Sequence, residues 1–368
     1  MKFTANAKEL TYAVTAASKI VSSATTVPIL QNVLIAADER GIHVRATDLE
    51  TTLEHTFAAD ARELGAVTVP AKLFAAYLAK LPTGEVDIEA TKERLSVKCG
   101  HSSCDFHALP AEEFPPLPEQ TQGTAFSVDG KAFRASVDAV AFAASSEESR
   151  GSVLMSTLCE IAGDRMTMVA TDGYRLAKRR IALSEALQGN SLRHIVPARA
   201  LSDVARSLGN AERIDVSALG GRNQLRFSAG HTSITVRLVE GQYPNYEQVI
   251  PSSFAHSVTV NTAAFIGALK RAELIAGDRA NMVTVKISDH RLIVTASSDT
   301  VGNAYEEMEI EQNGADIAIA FNAKYLIEIL SHVEAPQAVL ELLGPLNPVA
   351  IKPASETDQL HVLMPLRK

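Results

Sequence analysis

Several things are scarce in this 368-residue chain, and each scarcity narrows what it can be. No apolar run approaches the eighteen or so residues that a membrane-spanning helix needs, and the opening MKFTANAKEL lacks the apolar core of a secretory signal, so a cytoplasmic location is expected. Cysteine is rare and odd in number: Cys99, Cys104 and Cys159 argue against a disulfide framework in so long a chain. Positive charge is not in surplus either. Lys and Arg number 35 against 43 Asp and Glu, a formal charge of −8, whereas a protein that coats nucleic acid is expected to be basic. Any contact with a polyanion must therefore be local, or topological rather than adhesive.

Catalytic signatures are missing as well. The chain holds no phosphate-binding loop, nucleophile elbow or paired-histidine metal helix, so neither catalysis nor a cofactor is expected. Cys99, His101, Cys104 and His107 resemble a metal cluster at first sight. Their spacing matches no standard zinc pattern, and LSVKCGHSSCDFHAL alternates apolar and polar residues about a Gly-His-Ser-Ser turn, which predicts a hairpin with both cysteines toward the core.

What the chain does have is repetition. Its length suggests two or three domains, and its composition, 46% hydrophobic and 21% charged, is ordinarily globular. FTANAKEL (3–10), FSVDGKAF (126–133) and VTVNTAAF (258–265) share a template with VTVPAKLF (67–74), HIVPARAL (194–201) and IAFNAKYL (319–326). Three alternating residues read as a strand. The fourth, Asn6, Asp129, Asn261 or Asn322, suits a helix N-cap, and Pro70 or Pro197 suits a helix start. Helices are predicted over 7–20, 71–81, 131–144, 198–208, 263–276 and 323–333, with apolar faces such as Leu10, Ala13, Val14 and Ala17. Short alternating runs with turn signals follow each helix. The chain therefore reads as an α+β protein of six strand-helix-three-strand half-units, paired into three domains of antiparallel sheet over 1–124, 125–252 and 253–368.

The sixth template position is Lys8, Lys72, Lys131, Arg199 and Lys324, with Ala263 the exception. Basic residues in a first helical turn oppose the helix dipole, so something else favours positive charge there. A lysine reaching along a solvated face explains any one of them, but five equivalent positions in an acidic chain call for more. The predicted helices together carry +6, leaving −14 on the rest of a chain at −8. Equivalent helices with equivalent positive points suit a symmetric surface facing a polyanion, read without sequence preference.

ATDGYRLA at 170–177, EGQYPNYEQVIP at 240–251, TVPAKLF at 68–74, VPIL at 27–30 and MPLR at 364–367 resemble, from one end of the chain to the other, the bacterial sliding clamp, the β subunit of DNA polymerase III. The resemblance implies a head-to-tail homodimer forming a ring, with helices inside and sheets outside. The ring would enclose double-stranded DNA, and an ATP-driven clamp loader would open it. It implies a pocket for short peptides of polymerases, the loader and repair proteins, formed by Leu154, Thr171, Gly173, Tyr174, Arg175, Leu176, Pro244, Val249, Val362, Met364, Pro365, Leu366 and Arg367. Asp172-Gly173 is then a turn presenting Tyr174 and Arg175, and the following Lys178, Arg179 and Arg180 read as a solvated strand end rather than a pocket rim. Lys8, Lys72, Lys131, Arg150, Arg199 and Lys324 are the expected DNA-facing cations.

The sequence departs from its relatives at Tyr174, where many have His, and at Gln248, where some have Arg, so peptide preference is expected to differ. Ala24-Thr25-Thr26 stands where some relatives place an Arg against DNA. A repeat scaffold that binds proteins only is the competing reading; it would share the pocket but has no use for cations at equivalent helix starts.

Overall fold

The computed structural model describes residues 1–21, 25–116, 125–187, 189–219, 223–277, 281–355 and 358–367. The first half-unit is β1 (Lys2–Asn6), α1 (Ala7–Ser18), β2 (Asn32–Asp38), β3 (Gly41–Thr47) and β4 (Thr51–Phe57), followed by a short β5 (Asp60–Glu63). The second is β6 (Gly65–Pro70), α2 (Ala71–Leu78), β7 (Glu85–Ala90), β8 (Arg94–Cys99) and β9 (Ser102–His107), with a two-residue β10 (Leu109–Pro110). The third and fourth are β11 (Ala125–Asp129), α3 (Gly130–Ala141), β12 (Ser156–Ala162), β13 (Arg165–Thr171) and β14 (Arg175–Ala182), then β15 (Leu192–Pro197), α4 (Ala198–Leu208), β16 (Arg213–Leu219), β17 (Gln224–Ala229) and β18 (Thr232–Arg237). The fifth is β19 (His256–Asn261), α5 (Thr262–Ala276), β20 (Met282–Ser288), β21 (Arg291–Ser298) and β22 (Gly302–Glu309), with a short β23 (Glu311–Asn313). The sixth is β24 (Ile317–Asn322), α6 (Ala323–Ser331), β25 (Gln337–Leu342), β26 (Val349–Pro353) and β27 (Gln359–Leu363). Three half-units thus carry a short extra strand beyond the expected three.

Each strand turns into its helix by a local device. The side chains of Asn6, Asp129, Asn261 and Asn322 accept hydrogen bonds from the backbone N–H of Lys8, Ala132, Ala264 and Tyr325 at 2.9, 2.8, 2.9 and 3.3 Å. Pro70 lies one position earlier than a helix-start proline, at the cap itself, with φ −56° and no side-chain bond to give. Four helices stop short of the expected ends, at Ser18, Leu78, Ala141 and Ser331, because the last turn tightens: Ile20, Leu81, Ala144 and Val333 donate to Ala17, Leu78, Ala141 and Leu330, three residues back. The apolar periodicity runs on through that turn, which keeps Ile20 and Val333 buried.

The residue after the cap is small in all six copies: Ala7, Ala71, Gly130, Ala198, Thr262 and Ala323. Here the helix start passes close to the other half-unit of its pair. Ala7 N–H donates to the Gly84 carbonyl at 2.9 Å, Thr262 to Pro336 at 3.0 Å, Ala323 to Asn281 at 2.9 Å and Ala198 to Met155 at 3.1 Å. A Cβ on Gly130 would stand 2.0 Å from the Ala211 carbonyl oxygen, a position only glycine can occupy.

The chain packs into two compact units, Met1–Arg134 with Ala200–Leu238, and Ala135–Arg199 with Val239–Lys368. Each contains one large and one small antiparallel sheet. In the first unit the order is β10-β6-β2-β3-β4-β18-β17-β16-β11 and β5-β1-β7-β8-β9; in the second, β15-β12-β13-β14-β27-β26-β25-β19-β23 and β22-β21-β20-β24. The units follow the hydrogen-bonded sheets, whereas the sequence repeat runs along the chain. Helices lay their apolar faces on these sheets. Leu10, Ala13, Val14 and Ala17 are fully buried, as are Phe265 and Leu269, and burial of a side chain such as Phe265 contributes ~2–3 kcal/mol.

The cysteine segment forms the expected hairpin, with Cys99 opposite Ser102 and Val97 opposite Cys104. Cys99 is buried, but Cys104 is only partly covered, and His101 and His107 are exposed. No helix among the described residues is long and apolar enough to cross a membrane.

Candidate functional site

The second unit holds an open, mostly apolar cavity of about 180 Å³ where the end of β13, the start of β14, the end of β27 and the segment after β18 meet. Ten of the thirteen residues expected at a peptide pocket line it: Leu154, Thr171, Gly173, Tyr174, Arg175, Leu176, Pro244, Val249, Val362 and Met364. Asn245 and Tyr246, within EGQYPNYEQVIP but not among the residues the resemblance implies, line it too. Pro365, Leu366 and Arg367 lie beyond it; the Leu366 N–H donates to the Ala320 carbonyl at 2.8 Å.

The walls are set by strand pairing. Residues 175 and 176 of β14 pair with 363 and 362 of β27, and the Met364 N–H continues the ladder to the Tyr174 carbonyl at 2.9 Å. Leu176 and Val362 form a floor with only 2% exposure each, while Tyr174, Val249 and Met364 stand 48%, 42% and 38% exposed at the mouth. Three large apolar side chains held open to solvent around a dry floor suit the anchors of a short peptide, and methionine adapts its shape to more than one. Behind the floor, Tyr243 donates to the carbonyls of Ser156 and Val169 at 3.3 Å, and in the lining Tyr246 donates to a Glu160 carboxylate oxygen at 2.7 Å. Burial pushes both phenols well above their ordinary range, with the Glu160 carboxylate adding to the rise at Tyr246, so both remain donors.

The turn between β13 and β14 is built as the sequence predicts, but it does not present Arg175. Gly173 has φ +89°, and the Asp172 carboxylate accepts from the N–H groups of Tyr174 and Arg175 at 2.9 and 3.0 Å. The Arg175 side chain turns inward and is 8% exposed. Its Nε donates to Asp172 at 3.1 Å, Nη1 to Glu328 of α6 at 2.5 Å and Nη2 to the Phe142 carbonyl at 3.0 Å. A buried guanidinium needs such partners, which lie 33 and 153 residues away in sequence and leave no local mark.

Arg175 is also one layer of a stack. The Arg150 guanidinium lies 4.8 Å from the Tyr174 ring centre, Tyr174 stacks on Tyr325 at 6.2 Å, and Arg175 lies 4.7 Å from Tyr325 and 5.3 Å from Phe142, which stacks on His332 at 4.0 Å. Arg150 therefore stands beside the cavity, with Glu147 and the Asp172 carbonyl each at 3.4 Å.

The basic run beyond the turn is not a uniformly solvated strand end. Strand alternation sends Arg179 to the face opposite its neighbours, where its side chain is 13% exposed and 3.9 Å from Glu334, and Lys178 Nζ lies 5.3 Å from the Tyr246 ring centre. Arg180 alone of the three is exposed, paired with Asp358 at 3.3 Å.

Lys8, Lys72, Lys131, Arg199 and Lys324 all have exposed side chains in the first turns of their helices. Of the Ala24-Thr25-Thr26 loop, Ala24 lies outside the described residues. Among those described, no three His, Cys, Asp or Glu are grouped to hold a metal ion.

Comparison with known proteins gives one consistent answer. Models of the N-terminal, central and C-terminal domains of the DNA polymerase III beta subunit match residues 1–118, 127–245 and 247–367. The beta sliding clamp of Streptomyces coelicolor is 31% identical, covering 100% of this chain and 99% of that protein, and the one from Caulobacter vibrioides is 28% identical over all of both. Among solved structures, a sliding clamp from Pseudomonas aeruginosa superposes with a TM-score of 0.93 at 27% identity, and another from the same species, bound to griselimycin, with 0.94 at 28%; each match covers 100% of both chains. With three domain models in the family's order and a relative 31% identical along its length, the chain belongs to the bacterial DNA polymerase III beta subunits, the beta sliding clamps.

Proposed function

We propose that the chain is a DNA polymerase processivity factor: two copies close head to tail around duplex DNA, slide along it, and tether the replicative polymerase, other polymerases, the clamp loader and repair proteins. The observation that carries this reading, beside family membership, is a rule of strand pairing. The last strand of the first half-unit, β4, pairs with the last full strand of the fourth, β18. The last strand of the third, β14, pairs with that of the sixth, β27. The same step would join the fifth half-unit to the second, yet β22 and β9 each stand at a sheet edge. A second copy supplies what each lacks, and closure removes edges that would otherwise invite aggregation. Leu274 on α5, 79% exposed, and Tyr305 on β22, 61% exposed, flank the edge such a partner would cover.

The cavity residues from Leu154 to Met364, with Pro365, Leu366 and Arg367 beyond them, form the partner-peptide pocket in this reading. Lys8, Lys72, Lys131, Arg150, Arg199 and Lys324 face the DNA, supplying weak, sequence-independent attraction that permits sliding. The domains divide at 1–124, 125–252 and 253–368, and the protein works in the cytoplasm. It is a non-catalytic accessory subunit. Tethering raises the polymerase's local concentration at the template, and any polymerase activity belongs to the assembly.

The test is retention on DNA. Loaded onto nicked circles by a bacterial clamp loader with ATP and isolated in moderate salt, the protein should stay on the circle and leave when the circle is cut. Equal retention on both forms would mean adhesive binding, and none on either would favour a scaffold for proteins alone.

A further inference from the structure

The first unit contains a second, larger concavity of about 700 Å³, distinct from the peptide pocket. Its long wall is the solvent-facing stripe of α1, and its floor is made by the last turns of α2 and α4. Lys8, Tyr12, Thr15 and Lys19 recur at helical spacing along that wall, with the two lysines about 16 Å apart along the axis. Arg206 enters from α4.

Among the described residues, no carboxylate lines this concavity. Glu9, next to Lys8, is drawn instead toward His55 Nε2, 3.5 Å away, and Asp203 is occupied by Arg206 at 3.0 Å. Neither Lys8 nor Lys19 has an ion-pair partner among the described residues. Between them, Tyr12 is 53% exposed, an unusual place for an aromatic ring on a solvated stripe. The ring is held edge-on by His55, with centroids 5.3 Å apart at 70°, and His55 is in turn fixed by Thr232 at 2.8 Å. An aromatic ring supported at its edge between two unpaired cations, inside a hollow, suits something both flat and anionic.

Duplex DNA keeps its bases stacked inside and presents mainly phosphates to a protein wall, so it gives an aromatic ring there nothing to stack on. An unpaired nucleotide offers a base face and flanking phosphates at once, and stacking platforms within positive grooves are how proteins hold single strands without sequence preference. We propose that this concavity seats unpaired nucleotides of single-stranded DNA, a base on Tyr12 and the neighbouring phosphates on Lys8 and Lys19. The inference rests on the processivity reading only for how such a strand comes near, as the single-stranded arm beside a duplex end.

The test uses the full-length protein, a short fluorescent oligothymidylate and a blunt duplex of the same length, followed by anisotropy at low salt with the peptide pocket saturated by a clamp-binding peptide. Y12A should weaken the single strand about ten-fold, Y12F should restore it, and duplex binding should stay within about two-fold of wild type. The inference is overturned if wild type does not bind the oligothymidylate, if Y12A binds it as wild type does, or if Y12A loses duplex and single strand equally. Retention of Y12A on nicked circles, measured alongside, reports on folding and encirclement separately. Normal retention with unchanged oligothymidylate binding would remove this inference and leave the processivity reading standing; failed retention of wild type would do the reverse.

Discussion

Replacing Arg175 with Ala separates a presented arginine from a structural one. The side chain is 8% exposed and bound to Asp172, Glu328 and a backbone carbonyl, with its guanidinium between Tyr325 and Phe142. Breaking a buried ion pair from one side costs ~3–5 kcal/mol because the abandoned charge stays buried. The Asp172 side chain is 11% exposed and stays buried, whereas Glu328 is 43% exposed and can return to water, so the lower end applies to the whole, ~3 kcal/mol. Lost cation–π contacts add about 0.5–1 kcal/mol. R175A should therefore lose ~3–4 kcal/mol of stability, read as an earlier urea midpoint by circular dichroism. Partner-peptide affinity should fall with it, since Arg175 Nε donates to the Asp172 carboxylate that holds the turn carrying Tyr174. A double-mutant cycle with E328Q isolates the inter-element part, expected near 1 kcal/mol. If R175A lost less than about 1 kcal/mol while peptide binding collapsed, Arg175 would be a ligand-contacting group and the account of its inward turn would be wrong.

Three further outcomes are expected. His361 is fully buried, and burial, with His332 and Arg179 nearby, lowers its pKa to about 3. The unfolded chain takes up this proton below about pH 6.5 and the folded chain does not, so stability should fall as pH drops from 6.5 toward 3, by up to about 1.4 kcal/mol per pH unit; H361N should flatten that slope, checked by urea titrations across the range. L274D puts a charge into the surface assigned to the second copy and should shift the protein toward monomer in sedimentation velocity without changing its circular dichroism. M364A should weaken a clamp-binding peptide about ten-fold by fluorescence polarisation while leaving the dimer intact, and wild-type affinity in that variant would remove Met364 from the site.

What the sequence discloses is mostly what depends on near neighbours. Asn6, Asp129, Asn261 and Asn322 cap helices within three residues of themselves, so their role is legible from spacing. The Asp172-Gly173 turn is legible for the same reason. The inward path of Arg175 is not, because its partners Phe142 and Glu328 are distant in sequence and nothing near residue 175 marks them. Arg179 misleads in the opposite way: three consecutive basic residues look solvated, but strand alternation places the middle one against α6's end. The small residue after each cap is visible in all six copies, yet its cause appears only in three dimensions: in four of them the N–H donates to a carbonyl of the paired half-unit, and at Gly130 such a carbonyl leaves no room for a Cβ.

Those stitches between helix starts also constrain how such a chain can change its length. In the last pair they run both ways: Thr262 donates to Pro336, and Ala323 donates back to Asn281. A half-unit on its own would lose that acceptor, a bond worth ~0.5–1.5 kcal/mol, before any core is lost. Copies are therefore gained or lost in twos, and a circular permutant or split protein should be cut between pairs, after the second or fourth half-unit, and never within one.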